Sequence, residues 1–231
     1  MDFTDYQPAP SVLERLKDVS FVAVVGPSGV GKTTLINAAT ALDPDLHLVQ
    51  VTTSRTQRPG EVNNVDYHFR SLEEMLERIA KKEFVQVAPV AFGPLYATAP
   101  EDYAPAGTAL MGVLAAAMPT FQGLPFKAFR SVFIVPPSFE IWQERLTNHK
   151  FSDQDKAKRF TEASDSFQFA LGRPDMTLVI NDNLGIATND FIKAVHGQPP
   201  ETMHTNQSAS RVLINGMLNQ LAAFINDDLG A

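Results

Sequence analysis

Five consecutive apolar residues, Phe21 to Val25, run directly into Gly26-Pro27. A short continuous apolar run of this kind marks a strand buried on both faces in a parallel sheet. It predicts a following helix from about Gly31. Further strands are predicted over Leu46 to Thr53, Thr108 to Leu114, Val132 to Val135 and Thr177 to Ile180. Helical spacing dominates between them. Over Ser71 to Lys82 the residues Leu72, Met75, Leu76 and Ile79 share one side, and Ser71 with Glu74 fits a capping box. Helices are also predicted over Phe139 to Thr147 and Asp153 to Phe169, and one or two turns over Ser11 to Lys17 with Ser11 as the N-cap. Strands alternating with helices predict an α/β fold built on a doubly wound parallel sheet.

After Val195 the text HGQPPETMHTNQSAS has the Gly, Pro and polar content of a linker. Beyond it, Leu213, Met217, Leu221, Phe224 and Ile225 recur at helical spacing within Arg211 to Asp228. Such an amphipathic helix suits docking on its own core, the commoner use of an apolar stripe, or pairing with a second copy in a homodimer. The expected organisation is a lead-in over 1–20, one domain over 21–197, and a linker with a C-terminal helix over 198–231.

Composition narrows the function classes. The 231 residues are 44% hydrophobic and 19% charged, which is globular rather than disordered. With no cysteine, disulfides, thiolate metal sites and cysteine nucleophiles are excluded. A net charge of −7 speaks against the broad basic face a nucleic-acid partner requires, so phosphate binding must be local. The opening MDFTDYQPAP lacks the basic and apolar segments of a signal peptide, and no run approaches about 18 apolar residues, so a cytoplasmic protein with no membrane partner is expected. The five histidines, His47, His68, His149, His196 and His204, show no metal-ligand spacing.

Between the first strand and its helix, Gly26-Pro27-Ser28-Gly29-Val30-Gly31-Lys32-Thr33 fits the phosphate-loop pattern G-x-x-x-x-G-K-[ST]. Its glycines let main-chain N–H groups and the helix N-terminus approach a polyphosphate. Lys32 would place a point charge on the β- and γ-phosphates, Thr33 a hydroxyl on Mg²⁺, and Thr34 a hydroxyl on the α-phosphate. A triphosphate cradle of this kind fits kinases, GTPases and ATPase motors alike. Downstream, Arg55 and Arg58 stand three apart and Tyr67 nine beyond, around Pro59-Gly60. Arginine's planar fork and a phenolic donor are what binding a phosphomonoester requires.

In order and spacing the phosphate loop, Arg55, Arg58, Gly60, Glu61, Asp66, Tyr67 and Phe69 resemble the guanylate kinase family. The resemblance covers roughly residues 20–196, densely in these two motifs and sparsely elsewhere. It implies a P-loop kinase fold with a small acceptor-binding subdomain over about 52–98 and a lid over about 146–160. It further implies ATP- and Mg²⁺-dependent phosphoryl transfer to GMP or dGMP, with Arg55, Arg58 and Tyr67 on the acceptor phosphate. After Glu83-Phe84, and with one inserted residue, Tyr96 falls on a phosphate-binding tyrosine and Thr98 on a base-contacting serine or threonine. Ile134 to Ser138 and Glu144-Arg145-Leu146 resemble the approach to the lid, Arg159 its phosphoryl-contacting arginine, and Val179 to Asp182 the strand end near the adenine pocket. Catalysis then falls to Lys32, Arg55 and Arg159.

The departures are specific. The family's base-reading glutamate and serine fall at Gln86 and Val51, and no Asp or Glu occurs from Tyr103 to Phe139, where the family carries an aspartate pair near Leu110 to Leu114. The second lid arginine falls in the neighbourhood of His149 and Lys150. Altered base selectivity is therefore expected, with Mg²⁺ held by Thr33, phosphates and water. The alternatives are a P-loop kinase of another phosphorylated small molecule, such as a different nucleotide or a ribose bisphosphate, and a non-catalytic guanylate-kinase-like binding module. An intact Lys32-Thr33 counts against the second. Arg145 reads first as a surface or ion-pairing residue and second as a site candidate, and Phe139 and Trp142 as core or lid-hinge packing.

Overall fold

A computed structural model describes residues 3, 5–89, 93–104, 106–147, 153–199 and 207–228. Asn148, His149 and Lys150 of the expected lid, and 200–206 of the expected linker, lie outside the described residues.

Pro10 sets the first helix, α1 (Pro10–Leu16): its ring fixes φ, and its missing N–H has no partner to lose in a first turn. Ala9 is the cap, so the expected role of Ser11 is not used. Strand β1 (Ser20–Val25) follows, with every residue after Ser20 buried, and α2 (Lys32–Leu42) begins behind Gly31. The single strand expected over Leu46 to Thr53 is two. β2 (Leu46–Leu48) pairs in parallel with β7 (Thr108–Gly112), and β3 (Thr52–Thr53) enters a different sheet.

That second sheet also contains β4 (His68–Phe69), β5 (Gln86–Pro89) and β6 (Leu95–Thr98), in the order β4-β3-β6-β5. β3 pairs antiparallel with β6 and parallel with β4, and β5 pairs antiparallel with β6. Helix α3 (Leu72–Ala80) has the full capping box: Glu74 N donates to Ser71 Oγ and Ser71 N to the Glu74 carboxylate. Met75 from α3 packs with Phe84, Leu95, Ala97 and Ala99 in a core that Phe3 and Tyr6 cover in part.

The remaining elements are α4 (Met118–Gln122), β8 (Ala128–Val135), α5 (Phe139–Thr147), α6 (Asp153–Leu171), β9 (Thr177–Ile180), α7 (Leu184–Val195) and α8 (Gln207–Asp228). The larger sheet has five strands in the order β2-β7-β1-β8-β9, with β8 and β9 in parallel register. Two compact units are delimited: residues 1–21, 45–111 and 119–129, and residues 22–44, 112–118 and 130–231. Helix α7 was not predicted. Asn183 caps it by accepting from Ile186 N, and it buries Ala187, Phe191, Ala194 and Val195.

Helix α8 starts four residues before its expected Arg211, because Gln207 pairs with both main-chain groups of Leu178 on β9. Arg211 donates to the carbonyls of Ala170, Leu171 and Arg173 at the end of α6. Ile214, Met217 and Leu221 are buried, and the Phe224 ring lies 5.2 Å from Phe160 and 6.1 Å from Phe139. The apolar stripe of α8 is thus covered by its own chain. Among the described residues no helix is long and apolar enough to cross a membrane.

Candidate active site

The loop between β1 and α2 takes a shape only glycine permits at two points. Gly26 has φ 147° and Gly31 φ 93°; a Cβ would come within 2.7 Å of Ile134 O at the first and 2.5 Å of Asn181 Nδ2 at the second. Three side chains hold the loop. Trp142 Nε1 donates to Ser28 O at 2.8 Å, Asn181 Nδ2 to Val30 O at 2.8 Å, and Arg159 Nη1 to Ser28 Oγ at 2.6 Å. A cavity of about 590 Å³ opens beside it, lined by Ser28, Gly29, Gly31, Lys32, Thr33 and Thr34 and closed by Arg145, Asn181, Asp182 and Leu184. Pro27 and Val30 complete the loop, the latter with its side chain buried.

Lys32 Nζ donates to Gly26 O at 2.6 Å and to Pro27 O at 3.0 Å. Enclosure of the ammonium pulls its pKa down to about 8, with Glu162 opposing the fall and Arg159 adding to it. At the end of β7 stands Gly112, where an added Cβ would lie 3.8 Å from Lys32 Cε. The strand end beside the lysine therefore carries no carboxylate, as the acid-free stretch implied.

Around Pro59-Gly60 the second group of residues converges. Arg55 makes a bidentate pair with Glu61, Nη2 to Oε1 at 2.8 Å and Nη1 to Oε2 at 3.0 Å, and Glu61 Oε2 also accepts from Arg58 N at 2.8 Å. One carboxylate thereby closes the turn and aims the guanidinium. The Arg55 pair holds the Glu61 carboxyl below its usual range, and the same hydrogen bonds raise the pKa of Arg55, with a smaller contribution from Tyr96. The guanidinium carbon lies 5.3 Å from the Tyr67 ring centroid, and the Tyr67 and Tyr96 rings are 6.4 Å apart. Burial is the main cause raising the Tyr67 pKa, which keeps the phenol a donor. The Arg58 side chain is exposed at the turn, near enough for its charge to lower the Glu61 pKa.

The second sheet places Gln86 directly opposite Thr98, 7% and 0% exposed. Tyr96 stands two residues before Thr98 on β6, and so on the same face. Arg55, Tyr67 and Tyr96 are thus brought together, as are Gln86 and Thr98, while Lys32, Thr33, Thr34 and Arg159 gather at the phosphate loop. Val51 lies between β2 and β3, its carbonyl accepting from His68 N.

Sequence reasoning misplaced one residue and gave several no role. Arg145 is not a surface ion pair: it is half-buried, donates to Asn181 O at 3.1 Å and lines the loop cavity. An arginine on a helix can face core or solvent, and only the packed helix decides. Trp142 is fully buried, but its indole N–H also braces Ser28. Asn181 and Glu61 were recognised as motif members without a role. For Glu61, a carboxylate three residues past the second arginine, at a Pro-Gly turn, was the available signal. Among the described residues no group of three metal-ligating side chains gathers, and His68 faces Asn64 Oδ1 at 2.8 Å and Asp102 Oδ1 at 3.0 Å.

The guanylate kinase family model matches residues 19–196. The chain belongs to the guanylate kinase family. Its relatives include a guanylate kinase of Idiomarina loihiensis, 37% identical over 153 residues, or 61% of this chain and 69% of that one. A guanylate kinase of Trichormus variabilis is 30% identical over 201 residues, 85% of this chain and 100% of its own length. The crystal structure of guanylate kinase from Anaplasma phagocytophilum shares the fold, with a TM-score of 0.59 at 18% identity over 92% of this chain and 96% of that one.

Proposed function

We propose that this protein is an ATP-dependent kinase of GMP and dGMP, and that the residues gathered above hold its two substrates. The observation that carries the proposal, beyond family membership, is the Arg55–Glu61 pair beside Tyr67 and Tyr96. A guanidinium fixed by a carboxylate keeps donors in a set direction, and two phenol hydroxyls add theirs, which is a built site for a phosphomonoester. Lys32 and the main chain of Gly26 to Thr33 take the triphosphate of ATP, and Thr34 its α-phosphate. Arg159, already on Ser28 of the loop, takes the transferring group. Little covalent work is asked of the protein, since positioning and charge neutralisation carry phosphoryl transfer.

Thr33 and Asp182 line one cavity, and the hard oxygen donors they carry fit Mg²⁺, which keeps several waters of its own. When bound, the ion neutralises charge between the β- and γ-phosphates. Gln86 and Thr98 form the base subsite. We assign residues 52–98 to acceptor binding, 146–160 to a lid and 198–231 to an appended helix. ATP and nucleoside monophosphates are cytoplasmic metabolites, and we place the enzyme with them.

A coupled ADP-formation assay with ATP, Mg²⁺ and a panel of GMP, dGMP, AMP, UMP and dTMP tests the proposal. GMP and dGMP should give the highest kcat/KM. A different nucleotide in first place would overturn the assigned acceptor, and no ADP with any of them would overturn the assigned reaction.

A further inference from the structure

Thr98 of the base subsite belongs to a buried pair of hydroxyls. Thr98 and Tyr103 are 0% and 3% exposed, with Oγ1 and Oη 2.8 Å apart. The Tyr103 ring is packed against Phe21 at 5.7 Å and Phe126 at 5.8 Å, an apolar surrounding. The short 3-10 turn between the two, Pro100–Asp102, is pinned at its start, where Ala99 N donates to Asp102 Oδ2 at 2.8 Å, and sideways, where Asp102 Oδ1 meets the His68 ring. Tyr103 is therefore held against Thr98 by the fold.

Two hydroxyls bring two protons to one hydrogen bond. The phenol is the more acidic O–H and the aliphatic oxygen the better acceptor. Burial pushes the Tyr103 pKa further up, so the phenol keeps its proton. Among the described residues Thr98 is the hydrogen-bond partner of the Tyr103 hydroxyl. Were Thr98 the donor, a phenolic proton would sit among phenylalanines without an acceptor, the more costly arrangement. Tyr103 thus donates and Thr98 Oγ1 accepts, which directs the threonine's own proton to a group outside the pair.

We propose that Tyr103 is a positioning residue that makes the Thr98 hydroxyl a donor, so that the base subsite selects an acceptor atom such as the 6-oxo group of a purine over a 6-amino group. Gln86, opposite Thr98, cannot impose this direction, because its amide offers either a donor or an acceptor on rotation. The inference rests on Thr98 contacting the base, as proposed above.

The test compares kcat/KM for GMP and for the 2,6-diaminopurine ribonucleoside monophosphate, which keeps the 2-amino group, at saturating ATP. Wild type should prefer GMP. Tyr103→Phe should narrow that preference roughly tenfold, through the KM of the acceptor with the KM of ATP unchanged. In a Thr98→Val background the same substitution should leave the ratio where Thr98→Val put it. A loosened fold would lower both substrates alike. An equal loss on both substrates, an unchanged ratio in Tyr103→Phe, or a further narrowing in the Thr98→Val background would overturn the role of Tyr103 while leaving the assigned reaction intact. Wild type failing to turn over GMP would overturn both.

Discussion

ATP binding is expected to draw a proton onto Lys32 near pH 8. In the free protein the ammonium is enclosed by the loop that it bonds to, and burial outweighs Glu162 to bring its pKa from 10.5 to about 8. That depression corresponds to roughly 3 kcal/mol of bias toward the neutral amine. About half of the molecules are then neutral at pH 8, and about a tenth at pH 7. A bound polyphosphate favours the charged form and raises the pKa again, so binding should take up roughly half a proton at pH 8 and about a tenth at pH 7. Affinity for ATP should weaken as pH rises through about 8. Folding follows the opposite course. Between about pH 8 and 10.5 the unfolded chain holds the proton that the folded one has released, so the cost of burying this charge, complete below about 8, is relieved as pH rises across the window. Calorimetric titration with a non-hydrolysable ATP analogue at pH 8, in two buffers of different ionisation enthalpy, reads the proton count directly. The terminal phosphate is already ionised there and contributes little. Lys32→Met should cut the uptake, weaken binding and remove turnover. No uptake by the wild-type protein at pH 8 would refute the reasoning, because it would mean that the lysine is fully charged before ATP arrives.

Two further outcomes follow from the acceptor side. Arg58→Ala should raise the KM of the acceptor and lower kcat while ATP affinity in a direct titration stays near normal, the lost charge-assisted bond contributing about 1.5–3 kcal/mol; lost ATP affinity with unchanged acceptor affinity would move Arg58 to the donor side. Gln86→Glu should sharpen guanine over adenine by roughly 10- to 100-fold, since a carboxylate accepts from both N1–H and the 2-amino group where an amide offers one oxygen and turns a donor toward the other; an unchanged GMP-to-AMP ratio of kcat/KM would show that the base is not read at residue 86.

What the sequence made legible was what local chemistry determines. Gly26 and Gly31 adopt backbone angles that other residues resist, so the loop announces itself in the text, and the apolar runs of β1 and β9 need no partner to be recognised. Ser71 and Glu74 cap α3 through contacts three residues apart. The second sheet was invisible for the converse reason. Its strands are two to four residues long, Thr52–Thr53, His68–Phe69, Gln86–Pro89 and Leu95–Thr98, too short for alternation to register, and they exist through pairing with one another. Arg145 was misread because nothing within its own helix distinguishes solvent from the Asn181 carbonyl. Tyr103 was passed over because the apolar wall that receives its ring, Phe21 and Phe126, comes from far off in the chain.

The central claim is that the γ-phosphoryl group of ATP passes to the phosphate of GMP. Incubation of the wild-type protein with γ-labelled ATP, Mg²⁺ and GMP, followed by separation of the nucleotides, tests it most directly. The label should appear at the β-position of GDP, in step with ADP formation, and Lys32→Met should abolish both. Label released as inorganic phosphate at the rate of ADP formation, or retained in ATP while the folded protein binds both nucleotides, would contradict the account.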